Sequence, residues 1–197
     1  NNFSAYPTVK MLDVENINSD EAYQFTKDMQ PDLIIVSGTR LIKKKMFAIN
    51  PGIGFINLHT GLSPYIKGGP NCTNWCIATE QFHLIGNTIM WLDAGIDTGN
   101  IITTAGIELS GEESLLDVHI EVMESGHSLY VESIKHLSKG AANNVPQQSI
   151  GEGKTYYNRE WGLKQRYMLI RNFKKMRAVV KSEKYKTEKQ QVKIISL

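Results

Sequence analysis

The chain has 197 residues, of which 41% are hydrophobic and 21% charged, and its formal net charge is +2. This length accommodates one α/β domain with a short appendage but excludes two large domains, since single domains cluster around ~100–200 residues. No apolar run approaches the ~20 residues of a membrane-spanning helix, and the first residues show no basic segment followed by an apolar one, so a cytoplasmic protein without a membrane segment is expected.

The first predicted elements alternate between strand and helix. Residues 9–14 have the pattern of a short extended segment, and Ser19 begins a helix of about ten residues. The continuous apolar run at 33–36 predicts a strand buried on both faces. A short helix at 41–48 and a second buried strand at 54–58 follow it. This succession is the βαβ unit of an α/β fold with a doubly wound, mostly parallel sheet.

The alternation continues through the middle of the chain. A helix is predicted at 71–80, a strand at 84–92 and another strand at 100–109. Ser114 is placed to cap a long helix that runs to about Leu137. All these elements belong to one predicted domain, residues 1–138.

The two cysteines of the chain, Cys72 and Cys76, both fall in the helix predicted at 71–80. Residues four apart on one helix suit neither a disulfide nor a zinc site. We therefore expect two buried packing thiols and no metal.

The last part of the chain differs in composition from the rest. Residues 139–158 are rich in Gly, Asn, Pro and Gln, which predicts a surface linker. Residues 159–197 contain twelve Lys and Arg against three Asp and Glu, a net +9, which leaves −7 for residues 1–158. This basic appendage is either an arm for an anionic partner or a solvated helix face. Its apolar residues recur at helical spacing and predict an amphipathic helix, docked on the domain or at a homodimer interface: Leu163, Tyr167, Ile170 and Phe173.

One group of polar residues points to chemistry. Asn57 and His59 end a buried strand, and residues two apart on a strand share a face. Open parallel sheets bind ligands beyond the carboxyl ends of their strands, and here that end runs into the Gly- and Pro-rich loop 60–70. The next strand is followed by residues 93–99, a loop that can bring the Asp97 carboxylate to the same rim. Asn-x-His is a weak signal alone, but its combination with both loops is specific.

With these motifs, the segment from residue 31 to about 137 resembles the formyltetrahydrofolate-dependent formyltransferase family. That family includes methionyl-tRNA, glycinamide ribonucleotide and sugar-nucleotide N-formyltransferases. The resemblance implies the Rossmann-like formyltransferase fold, whose opening strand, glycine-containing turn and helix are expected to be missing from this chain. Residues 155–157 resemble the segment with which family members close the domain. The matching motifs are Phe55-Ile56-Asn57-Leu58-His59, Leu62-Ser63-Pro64 with Lys67-Gly68, Gly86-Asn87-Thr88-Ile89, and Leu92 to Gly99.

The resemblance also implies the roles of individual residues. Asn57, His59 and Asp97 would be catalytic, with N10-formyltetrahydrofolate as the formyl donor. The Asn57 amide and the His59 imidazole suit the stabilisation of negative charge on the formyl oxygen, and Asp97 suits orientation of the imidazole and proton transfer. The residues implied in donor binding are Val36, Gly38, Leu41, Leu92, Asp93, Ala94, Gly95 and Ile96. The residues implied in acceptor binding are Ser63, Lys67 and Gly68.

The short, basic appendage bears on the identity of the acceptor. A small amine suits a catalytic domain with a short helical tail, and we favour an amino-sugar nucleotide over glycinamide ribonucleotide. Methionyl-tRNA is less favoured because its formyltransferases carry a further β-barrel domain, although the basic tail keeps tRNA open. Two other readings remain: a formyltetrahydrofolate deformylase, with water as acceptor, and a non-catalytic folate- or nucleotide-binding module.

Overall fold

The computed structural model describes residues 8–69 and 71–197, so Pro70 of the predicted loop lies outside the described residues. The main sheet has four strands, in the order β1 (Leu33–Ser37), β2 (Gly54–His59), β4 (Gly86–Trp91) and β5 (Ile101–Gly106). A second sheet pairs β3 (Ile66–Gly68) with β6 (Lys154–Tyr156). The helices are α1 (Asp20–Asp28), α2 (Lys44–Phe47), α3 (Cys72–Ala78), α4 (Leu115–Leu137), α5 (Leu163–Phe173), α6 (Met176–Val180) and α7 (Glu183–Gln191).

The predicted α/β class is confirmed, and the main sheet contains both parallel and antiparallel strand pairs. β1 and β2 are parallel, whereas β4 is antiparallel to both β2 and β5. β1 is the outermost strand of the described sheet, and Ile35 at its centre is 54% exposed. The prediction that this strand is buried on both faces was therefore wrong. A continuous apolar run does not specify how many neighbours a strand has.

Local sequence signals predicted the helices well. Ser114 caps α4 through a capping box: its hydroxyl accepts from the Asp117 N–H at 3.2 Å, and its own N–H donates to the Asp117 carboxylate at 2.9 Å. Such reciprocal bonds satisfy N–H groups that the first helical turn leaves unpaired. Ser19 likewise caps α1. By contrast, residues 9–14 form no strand.

The buried core has two parts. Under the main sheet, Ile56, Ile89 and Ile102 pack against α4. The larger part surrounds α3 and includes both cysteines, which are buried and unpaired as predicted. Burial raises the pKa of both thiols, which keeps them protonated at neutral pH.

The appendage packs on the domain, but through a different face from the one predicted. Leu163 is 83% exposed, and Tyr167 and Ile170 are also exposed. The buried face of α5 instead carries Leu169 and Asn172, whose side-chain amide donates to the Ala78 carbonyl of α3 at 2.9 Å. The exposed residues and the buried residues both recur at helical spacing. Packing against α3 determines that Leu169 and Asn172 form the buried face.

Part of the basic charge of the appendage is paired with the domain. Arg177 and Lys181 contact the Glu112 carboxylate at 3.0 and 3.1 Å, and Lys175 contacts Glu80 at 2.6 Å. Exposed ion pairs contribute only ~0–1 kcal/mol each, so apolar packing dominates the docking.

The predicted linker makes close contacts with the domain. Its residue Val145 forms two backbone hydrogen bonds with Ile101, at 2.8 and 3.0 Å, and Gln147 is buried. β6 then adds to β3 in a parallel pairing. The boundaries at residues 138 and 158 stay a prediction.

Gly126 lies in the middle of α4, where it permits close contact with the sheet. A Cβ atom there would lie 2.8 Å from the Asn87 side-chain oxygen and 3.2 Å from Leu58. Asn87 is fully buried and donates to the Val122 carbonyl at 2.8 Å, so it cannot easily withdraw. We expect Gly126→Ala to lower the free energy of unfolding by about 1–2 kcal/mol, because the overpacking outweighs the better helix propensity of alanine.

Chemical denaturation measures this effect, with Ser128→Ala as the control on the exposed side of the same helix. The control should change stability by no more than ~0.5 kcal/mol. A Gly126→Ala protein at least as stable as the parent would mean that α4 is not closely packed against Asn87 at this position.

Among residues 8–69 and 71–197, no helix has the length and apolar character that crossing a membrane requires.

Candidate active site

Strand β2 presents Asn57 and His59 on one face of the sheet. In the strand register Val36 of β1 lies beside Asn57, and Thr88 of β4 lies beside His59. Tyr130 of α4 fastens this end of the sheet, because its hydroxyl accepts from the Val36 N–H at 2.9 Å and donates to the Ile56 carbonyl at 2.8 Å. Burial raises the pKa of this hydroxyl, so it remains a donor at neutral pH.

The His59 ring is held between two oxygen atoms. Nε2 lies 3.1 Å from the Ile66 carbonyl oxygen, and Nδ1 lies 3.3 Å from Asp97 Oδ2. A neutral imidazole has only one N–H, so it would turn a lone pair toward one of these oxygens. Which of the two nitrogens donates depends on the tautomer, and either way the ring is fixed between Ile66 and Asp97.

Asp97 reaches His59 from an unexpected direction. Because β4 is antiparallel to β2, its last residue Trp91 pairs with Ile56, and the loop after it begins at the other end of β2 from His59. The loop nevertheless brings the Asp97 carboxylate to the His59 imidazole, as expected, although it does not begin at that end of β2. Asp97 has φ +50, a left-handed conformation that is costly for a residue other than glycine.

A backbone amide completes the surroundings of the Asp97 carboxylate. The Gly68 N–H donates to Oδ2 at 2.8 Å, the same oxygen that faces His59. Gly68 has φ +88, and a Cβ there would overlap the carbonyl oxygen of Tyr156 in β6. Only glycine fits, so the parallel pairing of β3 with β6 aims this N–H at Asp97. Gly68 was predicted to bind the acceptor, whereas in the structure its N–H donates to Asp97.

The other predicted acceptor residues are placed differently from each other. Ser63 is 1% exposed, and its N–H donates to the Thr88 hydroxyl at 2.9 Å, so it lies beneath the loop surface. Lys67 is half-buried on β3 and forms no ion pair within the described part of the chain.

The predicted donor residues belong to two regions of the chain, strand β1 with the residues after it and the loop after β4. Leu41 and Ile96 are exposed, as is Gly38, and Val36 is half-buried beside Asn57. Asp93 shapes its loop: its Oδ1 accepts from the Gly95 N–H at 2.9 Å and from the Thr98 hydroxyl at 2.6 Å. Leu92 and Ala94 complete this set, Leu92 half-buried and Ala94 exposed.

Two surface pockets lie away from these residues. They have volumes of about 530 and 510 Å³ and are bordered by α7, and no predicted site residue lines either of them. In residues 8–69 and 71–197, no group of three His, Cys, Asp or Glu side chains is arranged to hold a metal ion. We assign the candidate site from the contacts of His59 and Asp97.

One residue in contact with the site gave no signal in the sequence. Gln147 belongs to the segment predicted as a surface linker, yet its side-chain amide donates to the Asp97 and Gly99 carbonyls, each at 2.8 Å. It comes from fifty positions along the chain, beyond the reach of any local pattern.

Comparison with known proteins identifies the family. A family model described as formyl transferase matches residues 5–134, which is most of the chain. The chain belongs to the formyl transferase family. The resemblance seen in its motifs is thereby confirmed.

Similar curated proteins include methionyl-tRNA formyltransferases. That of Clostridium tetani is 35% identical over 131 residues, which cover 66% of this chain and 41% of the relative. That of Clostridium botulinum is 33% identical over 137 residues, covering 70% of this chain and 42% of the relative. This chain thus spans about two fifths of the length of these relatives.

Solved structures share the fold. A formyltransferase from Anoxybacillus kamchatkensis, in complex with UDP-4,6-dideoxy-4-formamido-L-AltNAc and tetrahydrofolate, has a TM-score of 0.59 at 22% identity. The similarity covers 82% of this chain and 76% of that one. Phosphoribosylglycinamide formyltransferase from Bacillus halodurans has a TM-score of 0.54 at 28% identity, covering 61% of this chain and 62% of the other.

Proposed function

We propose that the protein transfers the formyl group of N10-formyltetrahydrofolate to a primary amine, with Asn57, His59 and Asp97 as catalytic residues. The observation that carries this proposal is the Asp97 carboxylate, held 3.3 Å from His59 Nδ1 and 2.8 Å from the Gly68 N–H. Membership of the formyl transferase family supports the reaction class.

The donor supplies an activated formyl group, whose carbonyl oxygen gains negative charge as an amine attacks its carbon. The Asn57 side chain has no hydrogen-bond partner among the described residues, so its amide is free to donate to that oxygen. The His59 imidazole, held between the Ile66 carbonyl and Asp97, lies on the same face of β2 as Asn57 and stabilises the same developing charge. Asp97, 15% exposed, accepts the proton that the amine loses and is the near source of the proton that the leaving nitrogen gains.

We favour an amino-sugar nucleotide as acceptor. Support comes from the solved structure with a UDP-linked formamido sugar, whose similarity covers most of this chain. Methionyl-tRNA is the second candidate, because the curated relatives cited above are methionyl-tRNA formyltransferases. In addition, α5 exposes three cationic side chains of the kind that contact phosphates: Lys164, Arg166 and Arg171.

The direct test follows tetrahydrofolate release by the full-length protein with an amino-sugar nucleotide, glycinamide ribonucleotide or methionyl-tRNA, and without acceptor. We expect one acceptor to raise the rate far above the acceptor-free reaction. Equal release with and without every acceptor would indicate hydrolysis, and donor binding without any release would indicate a binding module.

A further inference from the structure

Gln147 contacts the catalytic loop at the one place where its backbone is strained. Its side-chain nitrogen donates to the carbonyls on either side of Thr98, those of Asp97 and Gly99. The residue is 4% exposed, so water does not compete for these two bonds. Each of its amide hydrogens has one acceptor.

The orientation of this side chain is fixed by its surroundings. If the amide were turned over, Oε1 would face two carbonyl oxygens, which cannot donate. In the observed orientation Oε1 is buried without a hydrogen-bond partner among the described residues. A buried acceptor left unpaired is unfavourable, so the two bonds on the nitrogen side must compensate for it.

Gln147 is itself anchored to the sheet. Two residues earlier, Val145 exchanges backbone hydrogen bonds with Ile101 of β5. The Gln147 carbonyl then accepts from the Ile150 N–H at 3.0 Å in a tight turn. The side chain that holds the Asp97 loop is therefore attached to β5 through the backbone of its own segment.

We propose that Gln147 is a positioning residue for formyl transfer: it holds Asp97 in its left-handed conformation, so that the carboxylate meets His59 Nδ1 and the Gly68 N–H. This inference rests on the function proposed above. Without the two bonds, Asp97 relaxes toward ordinary backbone angles and its carboxylate moves off the imidazole. A displacement of ~1 Å in a catalytic group can reduce the rate by ~10²-fold.

The test compares Gln147→Met with the parent protein. Methionine matches the length of glutamine and packs in a buried site, but it cannot donate to either carbonyl. We expect kcat to fall about 10- to 100-fold while KM for donor and acceptor changes less than ~3-fold, because the substituted atoms touch neither substrate. Gln148→Met is the matched control, since Gln148 is exposed and adjacent. Gln147→Asn, one methylene shorter, is the second variant if Gln147→Met does not fold.

A second readout does not depend on turnover. The amide proton of Gly68 donates to the Asp97 carboxylate, so its NMR chemical shift reports the carboxylate position. We expect this resonance to move upfield in Gln147→Met and in Asp97→Asn, but not in Gln148→Met. An inactive parent would overturn the proposed function, and the Gly68 shift would then decide the role of Gln147 alone. An unmoved Gly68 resonance, or parental kcat in Gln147→Met beside an inactive Asp97→Asn, would overturn the positioning role.

Discussion

Asp97→Asn should reduce kcat for formyl transfer by about 10³-fold, within the range typical for loss of a positioned acid or base. The replacement keeps the size of the side chain and removes its charge. It removes the carboxylate charge that lies 3.3 Å from the His59 imidazole and, with it, the proposed acceptor of the proton of the amine. Steady-state kinetics with donor and acceptor both varied measures the effect.

The control for this variant is Asp13→Asn, the same substitution at an exposed residue far along the chain from the catalytic loop. It should retain parental kcat. An Asp97→Asn enzyme within about threefold of the parent would remove Asp97 from the chemistry, because one positioned proton-transfer group normally contributes ~10²–10⁴-fold.

Asn57→Ala should reduce kcat by about 10²–10³-fold, the usual cost of losing one donor to a developing oxyanion. Asn57 is half-buried beside Val36, and its side-chain amide forms no hydrogen bond with any described residue. The hydrogen bond that we propose from Asn57 to the formyl oxygen strengthens only as charge develops on that oxygen. Its loss should therefore appear in kcat, with KM for the donor nearly unchanged.

Single-turnover rates with saturating donor check this expectation, and the exposed Asn144→Ala is the control. If Asn57→Ala instead raised KM at unchanged kcat, Asn57 would be a ground-state binding residue and another donor would have to be sought.

The sequence predicted those features that depend on local signals. The capping box of Ser114 and Asp117 specifies where α4 begins, and the alternation on β2 places Asn57 and His59 on one face. Strand direction is not encoded locally, so the antiparallel course of β4 was missed. The buried face of α5 was missed for a related reason, since Leu163 and Leu169 both belong to apolar stripes and only contact with α3 chooses between them.

The site was predicted through family resemblance more than through physical pattern. Nothing in residues 93–99 requires Asp97 to reach His59, yet the structure brings the two together. The Gly68 N–H and the Gln147 side chain carry no sequence signal, because any residue has a backbone amide and glutamine is common in loops. Such contacts depend on tertiary packing over thirty to fifty positions.

The central claim is that this constellation moves a formyl group to an amine. The most direct measurement supplies donor labelled with ¹³C in the formyl group, together with the acceptor, and follows the label by NMR. We predict that the ¹³C resonance moves from the donor to a formamide on the acceptor, and that Asp97→Asn leaves it on the donor. Label recovered only as formate, or retained on the donor with every acceptor, would contradict the account.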